Sequence, residues 1–289
     1  MSGLERVIDG NRKDLGHGLM VSRMLPVIGK RMIGPFVFLD HMGPVQFDPG
    51  HGLDVRPHPH IGLSTVTFLF DGEFVHRDNL GYRQAIRPGE LNWMTAGSGI
   101  VHSERTDPSM KSIGGFNNGL QAWVALPEGE EERAPSFVHV DDGDLPTTDD
   151  GRAFVRLVAG SAYGLSSPAP TFSPLFYAHV DLTENTAIPL PSGHRERGAY
   201  IVSGEVAFEG AIYGAGKLLV FKAGGEPSVR AIDGPARLMV LGGDPVGERY
   251  MWWNFVSSRK ERIEQAKADW LAGRMSLPAE ETEFIPLPT

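Results

Sequence analysis

The chain has 289 residues, of which 41% are hydrophobic and 22% are charged, and its formal net charge is −9. It contains no cysteine, which excludes disulfides, iron–sulfur clusters, cysteine-ligated zinc and thiol catalysis. The acidic balance argues against direct nucleic-acid binding, because neutralising phosphates requires a clustered basic face. No apolar run approaches the roughly 18 residues of a membrane span, and the N-terminal residues show no secretory pattern, so we expect a cytoplasmic protein.

Short β-type runs bounded by turn residues occupy the chain from about residue 18 to 255. Asp71-Gly72 separates two such runs, 65–70 and 73–78, and Ser203-Gly204 separates a similar pair in the second half. A dipeptide of this kind between two strands is a strong hairpin signal, because the central turn positions favour positive φ. The pattern predicts two β-hairpins within a β-sandwich or β-barrel protein.

The two halves of the chain resemble each other. Residues 88–97 align without a gap with residues 215–224. A long unit that is present twice indicates a duplicated barrel rather than a solenoid, which needs at least three short units. The proline-rich and acidic stretch after Pro127 is the expected connection. We therefore predict an N-terminal domain, 1–134, and a C-terminal domain, 135–289.

The C-terminal region departs from the β pattern. Ser258-x-x-Glu261 has the form of a capping box. The apolar residues that follow recur at helical spacing on one face. We expect a short amphipathic helix from about Arg259 to Gly273 that packs on a barrel. The residues of its apolar face are Ile263, Ala266, Trp270 and Leu271.

Two pairs of metal donors stand two residues apart. His58 and His60 form the first pair, and His102 and Glu104 form the second. Residues two apart on a strand share a face, so each pair can present both donors to one metal. Three imidazoles and a carboxylate fill four octahedral positions and leave two exchangeable ones. This set predicts one divalent metal ion, most simply iron, with manganese, nickel, cobalt, copper and zinc as alternatives.

Only the first half carries a complete donor set. In the alignment of the two halves, His102 falls opposite Val229 and Glu104 falls opposite Ala231. The second half offers His194, and nearby Glu196, without a partner pair. The metal site is therefore expected in the N-terminal domain alone.

Several further residues are candidates for the surroundings of the metal. We expect His76 to hydrogen-bond near the ligands rather than to bind the metal. His41 and His51 are candidates for the mouth of the barrel. Four others could line a cavity for a flat aromatic substrate or could pack in the core of the barrel. They are Trp93, Met94, Gln121 and Trp123.

The sequence resembles the pirin family of the cupin superfamily over essentially its whole length. The most specific segment is 93–104, with the sequence WMTAGSGIVHSE. The resemblance implies an all-β fold of two tandem cupin (jelly-roll) β-barrels packed face to face, with a short C-terminal α-helix. It implies one metal, usually iron, in the N-terminal barrel, with His58, His60, His102 and Glu104 as ligands. The other matching segments are 56–60, 65–67, 76–78, 121–127 and 255–268.

The chain departs from the family pattern at two positions. The family usually reads His-Arg-Gly-aromatic-Glu after the second ligand, whereas Ile61 and Ser64 stand in the Arg and Glu positions here. The general cupin pattern uses that glutamate as a ligand or base, which a serine cannot replace. Glu104 is then expected to be the only acid at the metal, and substrate choice is expected to differ from that of relatives.

The resemblance leaves two functions open. The first is a quercetin 2,3-dioxygenase-like oxidoreductase that acts on a small aromatic, flavonol-like substrate and O2, with Glu104 as the catalytic base. The second is a non-enzymatic regulator whose metal or redox state controls binding to a protein partner. No membrane partner is expected for either function.

Overall fold

A computed structural model describes residues 3–14 and 20–288. Within these residues the chain forms 23 strands and two α-helices, so the predicted all-β class is confirmed. The helices are α1 (Pro108–Ile113) and α2 (Lys260–Leu271). The strands up to residue 140 are β1 (Leu4–Asp9), β2 (Asn11–Asp14), β3 (Met20–Leu25), β4 (Phe36–Phe47), β5 (Asp54–His60), β6 (Leu63–Asp71), β7 (Phe74–Asp78), β8 (Arg83–Ile86), β9 (Leu91–Thr95), β10 (Ile100–Arg105), β11 (Gly115–Ala125) and β12 (Ser136–Val140). The later strands are β13 (Thr147–Asp149), β14 (Ala153–Ala162), β15 (Leu165–Ser166), β16 (Leu175–Leu182), β17 (Ala187–Pro189), β18 (Glu196–Phe208), β19 (Ala211–Gly214), β20 (Lys217–Phe221), β21 (Ser228–Gly243), β22 (Tyr250–Trp252) and β23 (Phe255–Ser257).

The contacts group the chain into two compact units. The N-terminal barrel is built mainly from His41–Asp142, and the C-terminal barrel is built mainly from Gly143–Pro245. Each unit also takes in one end of the chain: residues 3–13 group with the C-terminal barrel, and residues 246–288 group with the N-terminal barrel. The expected domain boundary after residue 134 stays a prediction. Each compact unit combines segments from different parts of the sequence, so one boundary does not describe either unit fully.

The N-terminal barrel contains two sheets. One sheet has the strand order β5-β10-β7-β8, and the other contains the path β12-β9-β6-β11-β4. Apolar side chains of both sheets meet in a shared cluster that includes Met42, Leu69, Phe74 and Ile86. Within the first sheet, β5 and β10 are paired neighbours in the barrel wall.

The C-terminal barrel is built on one long sheet with the main order β1-β20-β18-β21-β16-β14-β13. Its first strand is β1, which pairs with β20 in antiparallel register from Leu4 opposite Phe221 to Asp9 opposite Lys217. Its interior is a hydrophobic core. It includes Leu157, Phe176, Ala199, Val229 and Ala231.

The structure contradicts both predicted hairpins. β6 pairs with β9 and β11, whereas β7 pairs with β8 and β10, so the Asp71-Gly72 turn carries the chain from one sheet to the other. In the second half, β18 runs through Ser203 and Gly204 as a single strand, with register shifts against β21 on both sides of Ser203. Gly72 and Gly204 both have positive φ, but this conformation serves a corner or a bulge as well as a hairpin turn.

The predicted C-terminal helix is confirmed as α2 (Lys260–Leu271). Ile263, Ala266 and Trp270 are buried against an apolar cluster of the N-terminal barrel that includes Ile61 and Val101. Leu271 was expected on the same face, but it lies at the last turn and is 75% exposed. In the described part of the chain, no helix has the length and apolar character needed to cross a bilayer.

The expected capping box of α2 is wrong. The N-cap is Arg259, and its side chain makes no capping hydrogen bond. Ser258 instead donates its backbone N–H and its hydroxyl to the carboxylate of Glu131, at 2.8 and 3.0 Å. Arg249 lies 2.9 Å from the same carboxylate, and both side chains are only 3% exposed. Glu131 therefore attaches the start of α2 to the barrel through a buried charge pair.

We expect Glu131→Gln to lower the free energy of unfolding by about 2 kcal/mol, because the buried Arg249 guanidinium would lose its counter-charge. Urea denaturation of the full chain measures this change. The matched control is Glu132→Gln, whose half-exposed carboxylate holds Arg259 and Arg262 and should cost less than about 1 kcal/mol. Equal losses in the two variants would contradict the assignment of Glu131 as the buried anchor.

Candidate metal centre

Two neighbouring strands carry the predicted donors. β5 and β10 pair in antiparallel register, with His102 directly opposite His58. His60 lies two residues beyond His58 and so points to the same face of the strand. The register shifts between His102 and Glu104, which lies opposite Val55. From His102 to Glu104 is two steps along β10, whereas the facing step from His58 to Val55 is three, so β5 carries the extra residue of a β-bulge opposite Ser103. Such bulges can re-aim side chains beside functional sites.

The three imidazoles form a compact buried cluster. The ring centroid of His58 lies 5.0 Å from that of His60 and 4.4 Å from that of His102. The centroids of His60 and His102 are 5.0 Å apart. One nitrogen from each ring lies within 4.8 Å of the corresponding nitrogens of the other two. This arrangement suits coordination of a single ion by all three residues.

Burial keeps these imidazoles neutral. It lowers the pKa of His58 to about 4 and the pKa values of His60 and His102 well below the usual value. The cause is loss of hydration, which penalises the charged form of the ring. Imidazole has to be neutral to bind a metal. At neutral pH the cluster can therefore coordinate an ion without first losing protons.

Hydrogen bonds determine which nitrogen of each ring carries the proton. Nδ1 of His58 donates to the carbonyl of Arg56 at 2.8 Å, because a carbonyl can only accept, and this leaves the lone pair on Nε2. Nε2 of His76 donates to Asp78 at 2.9 Å. Nδ1 of His76 is then an acceptor for Nδ1 of His102, 3.3 Å away. The lone pair of His102 is thereby placed on Nε2.

The residues present fit a metal ion. Nε2 of His102 is buried and has no hydrogen-bond partner within residues 3–14 and 20–288. Leaving a buried acceptor unsatisfied is costly, and a divalent cation is a group that would satisfy it. The expectation that His76 orients a ligand agrees with this geometry, since carboxylate–histidine chains of this kind fix ring orientation at metal sites. His76 itself is stacked on Phe137, with ring centroids 4.3 Å apart.

Glu104 lies beside the cluster but is held differently. The group of atoms that meets the 4.8 Å spacing comprises the three histidines and does not include Glu104. Its Oε1 accepts a hydrogen bond from Nε2 of Gln121 at 2.7 Å. Burial raises the pKa of Glu104 to about 7, because the ionised carboxylate loses hydration. The assignment of Glu104 as fourth ligand and base stays a prediction.

Ser64 does not point at the histidine cluster. In the register of β6, Ser64 lies opposite Thr95, whereas Thr65 lies opposite Trp123, whose ring contacts that of His60. Adjacent strand positions face opposite sides, so Ser64 lies on the far face, where its hydroxyl donates to Thr95 Oγ1 at 3.1 Å. The expectation that Ser64 removes an acid from the metal is therefore wrong in this barrel.

Ile61 is also turned away from the candidate site. It packs in the apolar cluster with Phe255, Ile263 and Trp270. An isoleucine suits this environment, because burying a charged residue there would require a partner. The two departures from the family pattern thus lie outside the immediate surroundings of the histidines.

The remaining predicted lining residues divide between the two faces of the sheet. Gln121 contacts Glu104, and the Trp123 ring meets the His60 ring edge-on with centroids 5.0 Å apart. Met94 lies opposite Thr65 and shares the face that carries Trp123. Trp93 occupies the other face, where its Nε1 donates to Thr95 Oγ1 at 3.1 Å, so Trp93 packs in the core.

His41 and His51 lie elsewhere in the N-terminal barrel. Nε2 of His41 is 2.7 Å from Oδ1 of Asn118. His51 is exposed and lines a surface cavity of about 350 Å³ with Phe47 and Met110. The lining of that cavity does not include the three histidines. The expectation that His41 and His51 line the mouth of the barrel stays a prediction.

A second group of donors was missed in the sequence. Glu90, His139 and Asp141 have ligand atoms within 4.8 Å of one another. His139 and Asp141 stand two apart, as the ligand pairs do, which is the signal that could have found them. However, Nδ1 of His139 bonds Asn92 Oδ1 at 2.8 Å, and the Asp141 side chain is 73% exposed. This group resembles a surface hydrogen-bond network more than a buried metal centre.

The corresponding positions of the C-terminal barrel are apolar. Val229 and Ala231, which align with His102 and Glu104, are both fully buried in the hydrophobic core. His194, by contrast, is only partly buried, and its ring packs against Phe176. At the positions where the N-terminal barrel has metal donors, the C-terminal barrel therefore has residues of its hydrophobic core.

Comparisons with known proteins cover both halves of the chain. The family model described as Pirin matches residues 18–124, and the model described as Pirin C-terminal cupin domain matches residues 177–276. The chain is 51% identical to a pirin-like protein of Caulobacter vibrioides over 289 residues, which is 99% of each chain. The predicted pair of cupin barrels with a C-terminal helix is confirmed by these matches together with the strand content.

Solved structures show the same fold. The crystal structure of quercetin 2,3-dioxygenase from Acinetobacter baumannii is 31% identical, with a TM-score of 0.89 over 98% of this chain and 95% of that chain. The nickel(II) complex of the bacterial pirin YhhW from Escherichia coli is 18% identical, with a TM-score of 0.64 over 83% of this chain and 99% of that chain. The latter likeness concerns the fold alone.

Proposed function

The chain belongs to the pirin family, and from that premise we propose that it is a mononuclear metal oxidoreductase acting on a small aromatic, flavonol-like substrate with O2. The observation that carries the proposal is the buried cluster of His58, His60 and His102, in which one ring nitrogen of each residue lies within 4.8 Å of those of the other two. The similarity to the quercetin 2,3-dioxygenase of Acinetobacter baumannii supports the substrate class.

In this proposal His58, His60, His102 and Glu104 hold one divalent ion, most simply iron. A set of imidazole nitrogens and carboxylate oxygen without thiolate suits iron, manganese, nickel, cobalt, copper or an open zinc site. When bound, such an ion supplies Lewis acidity toward a substrate hydroxyl and chemistry with O2. Metal analysis of protein purified without added metal distinguishes the candidate ions.

Glu104 is the proposed proton acceptor. Burial raises the pKa of Glu104 to about 7 in the metal-free protein, and a bound cation would lower it. The carboxylate would then be ionised at neutral pH and able to accept a proton. Gln121 holds Oε1 through a hydrogen bond of 2.7 Å. The other carboxylate oxygen is then the one that can accept the proton of a substrate hydroxyl. Gln121 thus orients the base without competing for that proton.

In this proposal the side chains beside the cluster exclude water and select a flat substrate. Trp123 lies edge-on to His60, and Met94 shares its face of the sheet. Aromatic and sulfur-containing walls favour the planar rings of a flavonol. Exclusion of water by a bound substrate would also strengthen each electrostatic contact that the protein makes with the reacting hydroxyl.

Oxygen uptake by metal-quantified protein tests this function. We expect quercetin to stimulate O2 consumption in proportion to the metal content, and metal-free protein to show none. A flavone without the 3-hydroxyl group is the matched control, because it offers Glu104 no proton at the reacting position, and it should support no uptake.

Fully loaded protein that consumes no O2 with any flavonol or enediol would contradict the dioxygenase proposal. That outcome would favour the alternative function, a regulator that binds a protein partner according to metal or redox state. Recovery of a partner in only one redox state would then identify the regulator. The cytoplasmic location stays a prediction, which cell fractionation tests.

A further inference from the structure

The outer face of β10 is held by the C-terminal tail of the chain. Side chains alternate along a strand, so Ser103 and Arg105 point away from the side that carries His102 and Glu104. Oε1 of Glu281 accepts a hydrogen bond from the Ser103 hydroxyl at 2.7 Å. Oε2 of Glu281 lies 2.9 Å from Nη2 of Arg105. One tail carboxylate therefore contacts both residues that flank Glu104 in the sequence.

Ser103 lies at the β-bulge between the two strands that carry the donors. The register passes from His102 opposite His58 to Glu104 opposite Val55. A bulge interrupts the ladder locally and changes the direction of nearby side chains. Ser103 is also fully buried, so its hydroxyl needs a partner within the protein. Glu281 supplies that partner.

The tail reaches the other side of the same bulge. The backbone N–H of Ile285 donates to the carbonyl of Pro57 at 2.8 Å, immediately before His58 on β5. The carbonyl of Ile285 in turn accepts Nε1–H of Trp270 in α2 at 3.1 Å. Leu277 and Leu287 pack in the apolar cluster around α2. The segment therefore contacts both strands of the bulge and is itself attached to the helix.

Arg105 links the tail to β5 as well. Its Nη1 donates to Asp54 at 2.6 Å, and Asp54 lies directly opposite Arg105 at the start of β5. Glu283 adds a contact with Nη2 of Arg105 at 2.8 Å. Glu281 accepts from the same guanidinium while it holds Ser103. The carboxylate of Glu281 thus joins the bulge to a cross-strand ion pair.

We propose that residues 277–287 form a C-terminal strap that sets the geometry of the metal centre, with Glu281 as its positioning residue. The strap supplies partners at the bulge where the ladder between β5 and β10 is interrupted. It thereby holds the direction of His102 and Glu104 from the opposite face of the strand. The inference rests on the proposed function, since it concerns the same four donors.

The test uses the full chain loaded with Co²⁺, whose visible absorption depends on its coordination. We expect Glu281→Gln to alter the Co²⁺ spectrum and to speed metal loss to a chelator by roughly 10-fold, the scale typical of residues that orient ligands. Ser103→Ala removes the contact at the bulge without touching the ion pair, and it should shift the spectrum in the same direction. Glu283→Gln is the matched control, because that carboxylate also contacts Arg105 but is 51% exposed. Its spectrum and rate of metal loss should match those of the wild type.

The outcomes separate positioning from a merely structural role. A lower melting temperature of the metal-free Glu281→Gln protein, with an unchanged Co²⁺ spectrum and rate of metal loss, would overturn the inference. Identical behaviour of Glu281→Gln and Glu283→Gln would overturn it too. Failure of the wild-type chain to bind Co²⁺ would instead contradict the proposed metal centre, and the inference with it.

Discussion

The His102→Ala protein is expected to retain no metal under conditions in which the wild type holds one equivalent. His102 contributes the imidazole whose Nε2 is buried without a hydrogen-bond partner in the described part of the chain. Loss of a residue that only orients a ligand lowers metal affinity by roughly 10–100-fold. Loss of a ligand itself should lower the affinity further. Elemental analysis after dialysis against a weak chelator measures the retained metal directly.

A stability measurement gives the same result independently. A ligand at about 100 times its Kd stabilises the folded state by about 2.7 kcal/mol. Added metal should therefore raise the melting temperature of the wild type and leave that of His102→Ala unchanged. Circular dichroism of the metal-free variant establishes that it is folded, so that loss of metal is not loss of the barrel.

The control for His102→Ala lies in the second donor group. His139 belongs to the cluster with Glu90 and Asp141, and His139→Ala should leave one equivalent of metal bound. If His139→Ala lost the metal and His102→Ala kept it, the metal centre would have been assigned to the wrong group. The two variants remove the same side chain from the same barrel, so the comparison depends only on the location.

Patterns that are local in the sequence predict each pair of donors and the terminal helix. His58 and His60 share a face because alternation is a property of a single strand. Ile263, Ala266 and Trp270 share a face because helical spacing is equally local. The antiparallel pairing that brings His102 opposite His58 could not be read from spacing. Its prediction depends on the hypothesis that two similar pairs serve one ion and on the resemblance to the pirin family, which implies the same four ligands.

Alternation fails where the chain leaves a strand. The general cupin pattern is the basis for expecting position 64 near the metal, and alternation counted from His60 would also place Ser64 on the same face. β5 ends at His60 and β6 begins at Leu63, and Gly62 between them has a φ of 68°. A residue in the left-handed region turns the chain and resets the alternation. The direction of the Ser64 side chain therefore depends on the backbone conformation at Gly62, which the spacing of the residues does not predict.

The strap was beyond prediction for a different reason. Glu281 and Ser103 are 178 positions apart, and a hydrogen bond or ion pair between a strand and a distant tail leaves no periodic signal in a single sequence. The charges near residue 281 read equally well as a solvated tail. Only the fold shows that α2 returns the end of the chain to the strands that carry the donors.

For Glu104→Gln we expect turnover with quercetin, expressed per bound metal, to fall by roughly 10²–10⁴-fold, the range that a positioned general base contributes. The amide keeps the size of the side chain and an oxygen that can accept the hydrogen bond from Gln121. It cannot take a proton from a substrate hydroxyl. The three imidazoles remain, so the metal should stay bound when it is supplied in excess. Oxygen-electrode rates and metal content measured on the same samples separate the two effects.

Glu90→Gln is the matched control for Glu104→Gln, because Glu90 is another buried carboxylate of the same barrel, at 8% exposure. Its Oε2 accepts the backbone N–H of Arg87 at 2.7 Å, away from the histidine cluster, and turnover should stay at the wild-type level. Full turnover in metal-loaded Glu104→Gln would contradict the role of Glu104 as base. The carboxylate would then be a ligand or a packing residue only. The proton would have to leave by way of the substrate's own ionisation, which would make turnover follow the hydroxyl pKa across a series of substituted flavonols.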